Sequence, residues 1–148
     1  MTPGGPAGAP APSAPAAPAV AMAPFATDGC SMFPDRAPGG GADWCDCCLQ
    51  HDLAYWRGGT RQERLAADRA LAACVRDTSG SALLAALMEG GVRVGGSPYL
   101  PTPFRWGFGW PYGRGYQPVD AGEDAQAAQL RMEYQARNPA LSCSGPHE

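Results

Sequence analysis

The sequence predicts a small, mainly α domain stapled by disulfides, and three observations carry that expectation. Six cysteines lie within 148 residues. An even count in a short Gly/Pro-rich chain reads as a disulfide framework formed in an oxidising compartment. Two helical patterns without Gly or Pro stand close together, one beginning at Asp43 and the other at Thr60. Glycine and proline, 20 and 16 in number, gather in the segments around them, as helix breakers do.

Taken in order, residues 1–26 are an uncharged Ala/Pro-rich stretch. They predict a flexible segment that does not pack, extended where it has any structure. Residues 27–148 are left as the domain, about 120 residues, enough for one modest core. Residues 27–43 predict a loop, because Asp28-Gly29-Cys30-Ser31, Pro34-Asp35, Pro38 and Gly39-Gly40-Gly41 show neither helical nor strand periodicity. A helix then runs to Trp56 and stops at Gly58-Gly59. Thr60-Arg61-Gln62-Glu63 forms a capping box that opens a helix to about Arg76 or Asp77. So short a connection makes the two helices antiparallel neighbours. A third helix is expected over 81–89, ended by Gly90-Gly91, and a weakly amphipathic fourth over 122–137, ended by Asn138-Pro139.

Composition excludes two classes of function. No apolar run approaches the ~18 residues of a membrane span. A net charge of −3 argues against a nucleic-acid binder that works through a basic face. The cysteines and the signal-peptidase-like sites Ala19-Val20-Ala21 and Ala21-Met22-Ala23 predict a secreted or periplasmic protein, although neither a basic n-region nor an apolar h-region precedes those sites; a monomer is the expected state, with no residue pattern behind it.

Chemistry concentrates on the first helix. At about 100° per residue, Leu49, Leu53 and Trp56 form an apolar stripe within about 60°, and Cys47, Cys48, His51, Asp52 and Tyr55 share an arc of about 140° on the other side. A histidine, a carboxylate and a phenol on one face are costly to bury unless each is paired. The partner is expected on the second helix, where Asp68 interrupts the apolar run from Leu65 to Cys74. An antiparallel pairing that sets Asp68 beside His51 also sends Cys74 towards Cys47. A Cys47–Cys74 disulfide is thus consistent with a His51–Asp68 hydrogen bond.

Cys47-Cys48-Leu49-Gln50-His51-Asp52-Leu53-Ala54-Tyr55 resembles the Cys-Cys-x-x-His-Asp-x-Cys-Tyr signature of the secreted phospholipase A2 family, in its bacterial type, and the run from Asp68 to Cys74 resembles that family's second active-site helix. Gly29-Cys30 occupies the place of the family's calcium loop. The match covers about 28–77. Ala54 and Ala67 stand where the family has a disulfide pair, so both halves are missing together. Ser31-Met32-Phe33-Pro34-Asp35 replaces the family's glycine-rich loop, and Arg57-Gly58-Gly59 replaces a two-stranded wing.

The resemblance implies a phospholipase A2-like fold and calcium-dependent hydrolysis of the sn-2 ester of glycerophospholipids at a membrane surface. In that reading His51 is the general base, Asp68 orients it and Tyr55 holds Asp68. Asp52 binds Ca²⁺ together with carbonyls around Ser31 and Phe33. Asp35, Asp43 and Asp46 receive no role. A non-catalytic secreted domain that binds or perturbs membranes is the alternative, and a zinc site from Cys45, Cys47, Cys48 and His51 is a third reading.

Six cysteines allow 15 connectivities. The favoured set adds Cys30–Cys48 and Cys45–Cys143 to Cys47–Cys74, with Cys30–Cys143 as a competing pair. Phe104, Trp106, Phe108, Trp110 and Tyr112 alternate with Arg, Gly and Pro, which predicts five rings on one face of an extended segment. Phe104, Trp106 and Trp110 are the candidate membrane-interface residues; packing of the ribbon against the helices is the other reading.

Overall fold

A computed structural model describes residues 4–5, 7–11, 20–27, 29–30 and 33–139. Its four helices are α1 (Cys45–Arg57), α2 (Arg61–Ser79), α3 (Ala82–Gly95) and α4 (Ala121–Arg137). Among the described residues there is no strand, only an isolated antiparallel bridge between Arg36 and Asp43.

Local chemistry accounts for most of the helix ends. The Asp43 carboxylate accepts the Cys45 N–H at 2.9 Å where α1 begins. Gly58 ends α1 with φ 69°, and a Cβ there would come within 2.8 Å of the Gly107 Cα. Glycine is therefore needed for conformation and for the approach of a second backbone. At the start of α2 both bonds of the capping box form: Glu63 N–H to the Thr60 hydroxyl at 3.2 Å, and Thr60 N–H to the Glu63 carboxylate at 2.6 Å. The helix runs past Asp77 to Ser79 and ends on the left-handed Gly80. Asp120 and Glu123 open α4 with a second capping box.

The expected end of the third helix is corrected. Gly90-Gly91 does not stop α3, which continues to Gly95. Met88 is buried and Val92 packs against the same core, while a Cβ on Gly91 would meet the Phe33 ring at 2.8 Å. Tertiary packing outweighs the intrinsic cost of two helical glycines, about 1 kcal/mol each.

Helix α2 packs against both α1 and α3, and α1 lies between two apolar clusters. On one side Cys47 and Cys48 meet Leu71, Val75, Ala85 and Met88 from α2 and α3. On the other, Leu49 and Trp56 meet Met22, Phe25, Trp110 and Ala127. The disulfides Cys30–Cys48 and Cys47–Cys74 tie the preceding loop and α2 to α1. Loops of this size contribute about 3 kcal/mol each in the chain-entropy picture. The competing Cys30–Cys143 pair is thereby excluded. Cys45 is disulfide-bonded too; Cys143, the partner expected for it, lies outside the described residues, as does Ser31.

Two further expectations are corrected. The end of the Ala/Pro segment packs: Met22 and Phe25 are buried, the Ala23 N–H donates to the Gly109 carbonyl at 2.7 Å, and the Trp56 indole donates to the Ala23 carbonyl at 2.8 Å. Phe25 also meets the Trp56 and Tyr134 rings edge-on. Two large apolar side chains outweigh the surrounding Ala and Pro. The aromatic run is not an extended ribbon with its rings on one face. It turns over 103–110, bringing Trp106 and Trp110 inside at 2% exposure while Phe104 stays 42% exposed. Trp106 and Trp110 are core residues, not membrane-interface residues.

Candidate catalytic site

The α1–α2 pairing brings His51 and Asp68 together as the helical geometry anticipated. His51 Nε2 lies 2.9 Å from Asp68 Oδ1, and the Tyr55 hydroxyl donates to the same oxygen at 2.6 Å. Both side chains of the dyad are buried, Asp68 completely. A carboxylate there is tolerable only if its oxygens are paired. The second oxygen, Oδ2, accepts from Arg93 Nε at 2.8 Å. Arg64 donates to the Tyr55 hydroxyl at 2.9 Å.

Burial works against the charge of Asp68, but the hydrogen bonds from His51, Tyr55 and Arg93 outweigh it and hold the carboxyl below its usual range. It is therefore an acceptor, which places the His51 proton on Nε2 and leaves Nδ1 for the cavity that the ring lines. Burial, reinforced by the bond to Asp68, pushes the Tyr55 hydroxyl far above the usual phenol range, so it remains a donor.

The depressed carboxyl has a consequence for stability. Its folded value lies below the ordinary one of about 4. It therefore stabilises the fold above that pH, and the contribution is lost as the pH falls towards the folded value. Thermal midpoints are expected to drop more steeply between about pH 5 and pH 3 for the wild type than for Asp68→Asn. Glu123, held low by its bond to Arg114, acts in both proteins, so the difference isolates Asp68. Parallel curves would show that the Asp68 carboxyl is not held below its ordinary range in the fold.

The dyad opens on a cavity of about 420 Å³, whose polar wall is His51, Asp52 and Tyr55 and whose apolar wall includes Leu71, Met88 and Phe104. A second hollow of about 390 Å³, between Pro24, Thr27 and Phe108, shares Asp52 and Phe104 with the first. Asp52 thus stands where the two meet. Its Oδ2 accepts from the Thr27 hydroxyl at 2.6 Å, and that hydroxyl accepts the Gly29 N–H at 3.1 Å. The Asp52 carboxylate and the Thr27 hydroxyl are oxygen donors, the hard kind that suits Ca²⁺. The zinc reading is overturned, because Cys45, Cys47 and Cys48 are all in disulfides. Among the described residues no group of three or more His, Cys, Asp or Glu side chains could hold a metal.

Phe33 lines the cavity, and its N–H bonds the Cys30 carbonyl at 3.2 Å. Asp35, given no role from sequence, supports this loop by accepting the Cys30 N–H at 2.9 Å. Sequence reasoning also missed Arg64 and Arg93. Arg93 follows Glu89 by four residues and pairs with it at 3.2 Å. That spacing was visible, but the expected helix ended before it. Comparison with protein-family models, with curated proteins and with solved structures finds no match to this chain.

Proposed function

We propose that this protein hydrolyses the sn-2 acyl ester of glycerophospholipids in a calcium-dependent reaction at a membrane surface. The observation that carries the reading is the buried His51–Asp68–Tyr55 network on the wall of a mostly apolar cavity, with Asp52 beside it. Uncharged His51 takes a proton from water at Nδ1 as the water attacks the ester carbonyl. Asp68 keeps the ring oriented and stabilises the imidazolium through Nε2–H, as an orienting carboxylate does in a triad. Tyr55 holds Asp68. The acyl chain occupies the cavity past Leu71 and Met88, where little water competes for the ester.

Asp52, with the loop carbonyls of Ser31 and Phe33, would hold Ca²⁺. When bound, the ion supplies positive charge for the developing oxyanion and for the substrate phosphate. Val94 and Phe104 line the cavity and are also exposed, at 79% and 42%. They, rather than Trp106 and Trp110, would meet the bilayer. Among the described residues no helix is long and apolar enough to cross a membrane, and the disulfides fit an oxidising, secreted or periplasmic setting.

The test is fatty-acid release from phospholipid vesicles by the unreduced protein. Release in millimolar Ca²⁺ is expected to fall at least about a hundredfold in excess chelator. Equal release in both conditions would remove the metal from the reading. Vesicle binding without release would leave the alternative, a non-catalytic membrane-binding domain.

A further inference from the structure

We infer that Arg93 is a positioning residue for the dyad: by pairing with the second oxygen of Asp68 it keeps that carboxylate an acceptor, so that the His51 proton stays on Nε2 and the Nδ1 lone pair stays towards the cavity. The kinetic consequence rests on the hydrolytic reading; the structural one does not.

Asp68 has no exposed side-chain surface. Its Oδ1 already takes two bonds, from His51 and Tyr55, so Oδ2 depends on Arg93. The charges around the pair come from each packed element. Helix α1 contributes His51 and the neutral Tyr55 hydroxyl. From α2 comes Arg64, which bonds the Tyr55 hydroxyl, the Tyr116 hydroxyl at 2.6 Å and the carbonyls of Val92 and Arg93. Helix α3 provides Arg93 and Glu89, 3.2 Å apart. Arg93 is therefore the guanidinium that meets the carboxylate directly, while Arg64 acts on its phenol partner.

These bonds close into a ring. Asp68 bonds Tyr55, Tyr55 bonds Arg64, Arg64 bonds the Arg93 carbonyl, and the Arg93 side chain returns to Asp68. Arg93 is thus held at its backbone and at its side chain. The guanidinium fork reaches Asp68 through Nε and Glu89 through Nη2, which a lysine ammonium cannot reproduce as a fixed geometry. Val92 and Val94, its chain neighbours, wall the cavity.

Without Arg93, a buried carboxylate with one oxygen unpaired is driven to take up a proton. Its hydroxyl would then donate to His51 Nε2. The single ring proton would move to Nδ1, and no lone pair would remain on the cavity side. General-base chemistry at Nδ1 stops, with the side chains otherwise in place.

The test combines long-range ¹H–¹⁵N imidazole spectra at about pH 8, where imidazole is uncharged, with steady-state kinetics. The chain has two histidines, His51 and His147, and the spectrum of His51→Gln identifies the signals of His51. The wild type is expected to show the Nε2–H pattern. Arg93→Met should shift His51 towards Nδ1–H and lower kcat by about 10- to 100-fold, the range of outer-shell losses, with KM within about twofold. Arg93→Lys, which restores the charge, should return the Nε2–H pattern and most of the kcat. Arg93→Leu, which likewise removes both the donor and the charge, replaces Arg93→Met if that variant does not fold. A folded Arg93→Met or Arg93→Leu variant that keeps the Nε2–H pattern overturns the inference, leaving Arg93 as a tie between α3 and α2. If the wild type releases no fatty acid, the hydrolytic reading fails while the spectra still decide the role of Arg93.

Discussion

Replacement of His51 by Gln is expected to lower fatty-acid release from vesicles in Ca²⁺ by about a thousandfold, the loss typical of removing a general base together with its orienting carboxylate's function. Glutamine is close to histidine in reach, and its amide can still donate to Asp68 Oδ1, where Nε2 now sits at 2.9 Å. Asp68 therefore stays paired, and the cost to stability should be about 1 kcal/mol, the net worth of one hydrogen bond. The two disulfides from α1 to α2 and to the preceding loop lie outside the change. What the amide cannot do is accept a proton from water at neutral pH. An unchanged circular dichroism spectrum with release reduced as stated would place the base at His51. Release within tenfold of the wild type would mean that another group activates water, and the dyad would be a structural hydrogen bond between two helices.

Much of this site was legible because it depends on short-range rules. Cys47, His51 and Tyr55 recur every four residues and so share a face of any helix. Thr60 and Glu63 fix where α2 begins, and the short connection makes it the antiparallel neighbour of α1, in a register that can set Asp68 beside His51. The same register brought Cys74 to Cys47, as observed. What was not legible depended on contacts between distant segments. Gly90 and Gly91 read as a stop, but Met88 and Val92 pack into the α2–α3 core and carry α3 through them. The missing turn contained Arg93, so the second oxygen of Asp68 had no visible partner. Alternation of aromatic residues over 104–112 resembled an extended ribbon, yet Gly107, with φ 76°, lets the chain turn.

The two clusters on either side of α1 explain why one helix can carry both a site and a core. The face that holds His51 and Tyr55 is closed by α2 and α3, which supply the charged partners. The opposite face, through Leu49 and Trp56, is closed by residues far apart in sequence, Met22, Phe25, Trp110 and Ala127. Segments that the sequence pattern presents as a flexible stretch and as an extended aromatic ribbon are part of what covers it. The alignment of His51 therefore depends on packing supplied from both sides of the helix.

Trp106→Ala is expected to have the largest effect on stability, about 3–5 kcal/mol, the range for truncating a buried Trp, and to lower the thermal midpoint by more than about 10 °C. The indole is 2% exposed. Its N–H donates to the Gly59 carbonyl at 2.9 Å, in the connection between α1 and α2, and its ring meets Tyr55 edge-on at 4.9 Å. Its own backbone N–H bonds the Gly96 carbonyl at 2.8 Å, just past α3. One residue thus joins the α1–α2 corner, the end of α3 and the phenol that holds Asp68. Alanine removes the ring and leaves the buried Gly59 carbonyl without its indole donor, so the cavity and the lost bond add. Because the loss falls behind Tyr55, release should also decline below the new midpoint, through a loosened Asp68. Vesicle affinity of the folded variant should stay unchanged, since the indole does not reach the surface. A Trp106→Ala protein that keeps its midpoint but loses vesicle binding would reverse the assignment and return Trp106 to the membrane face.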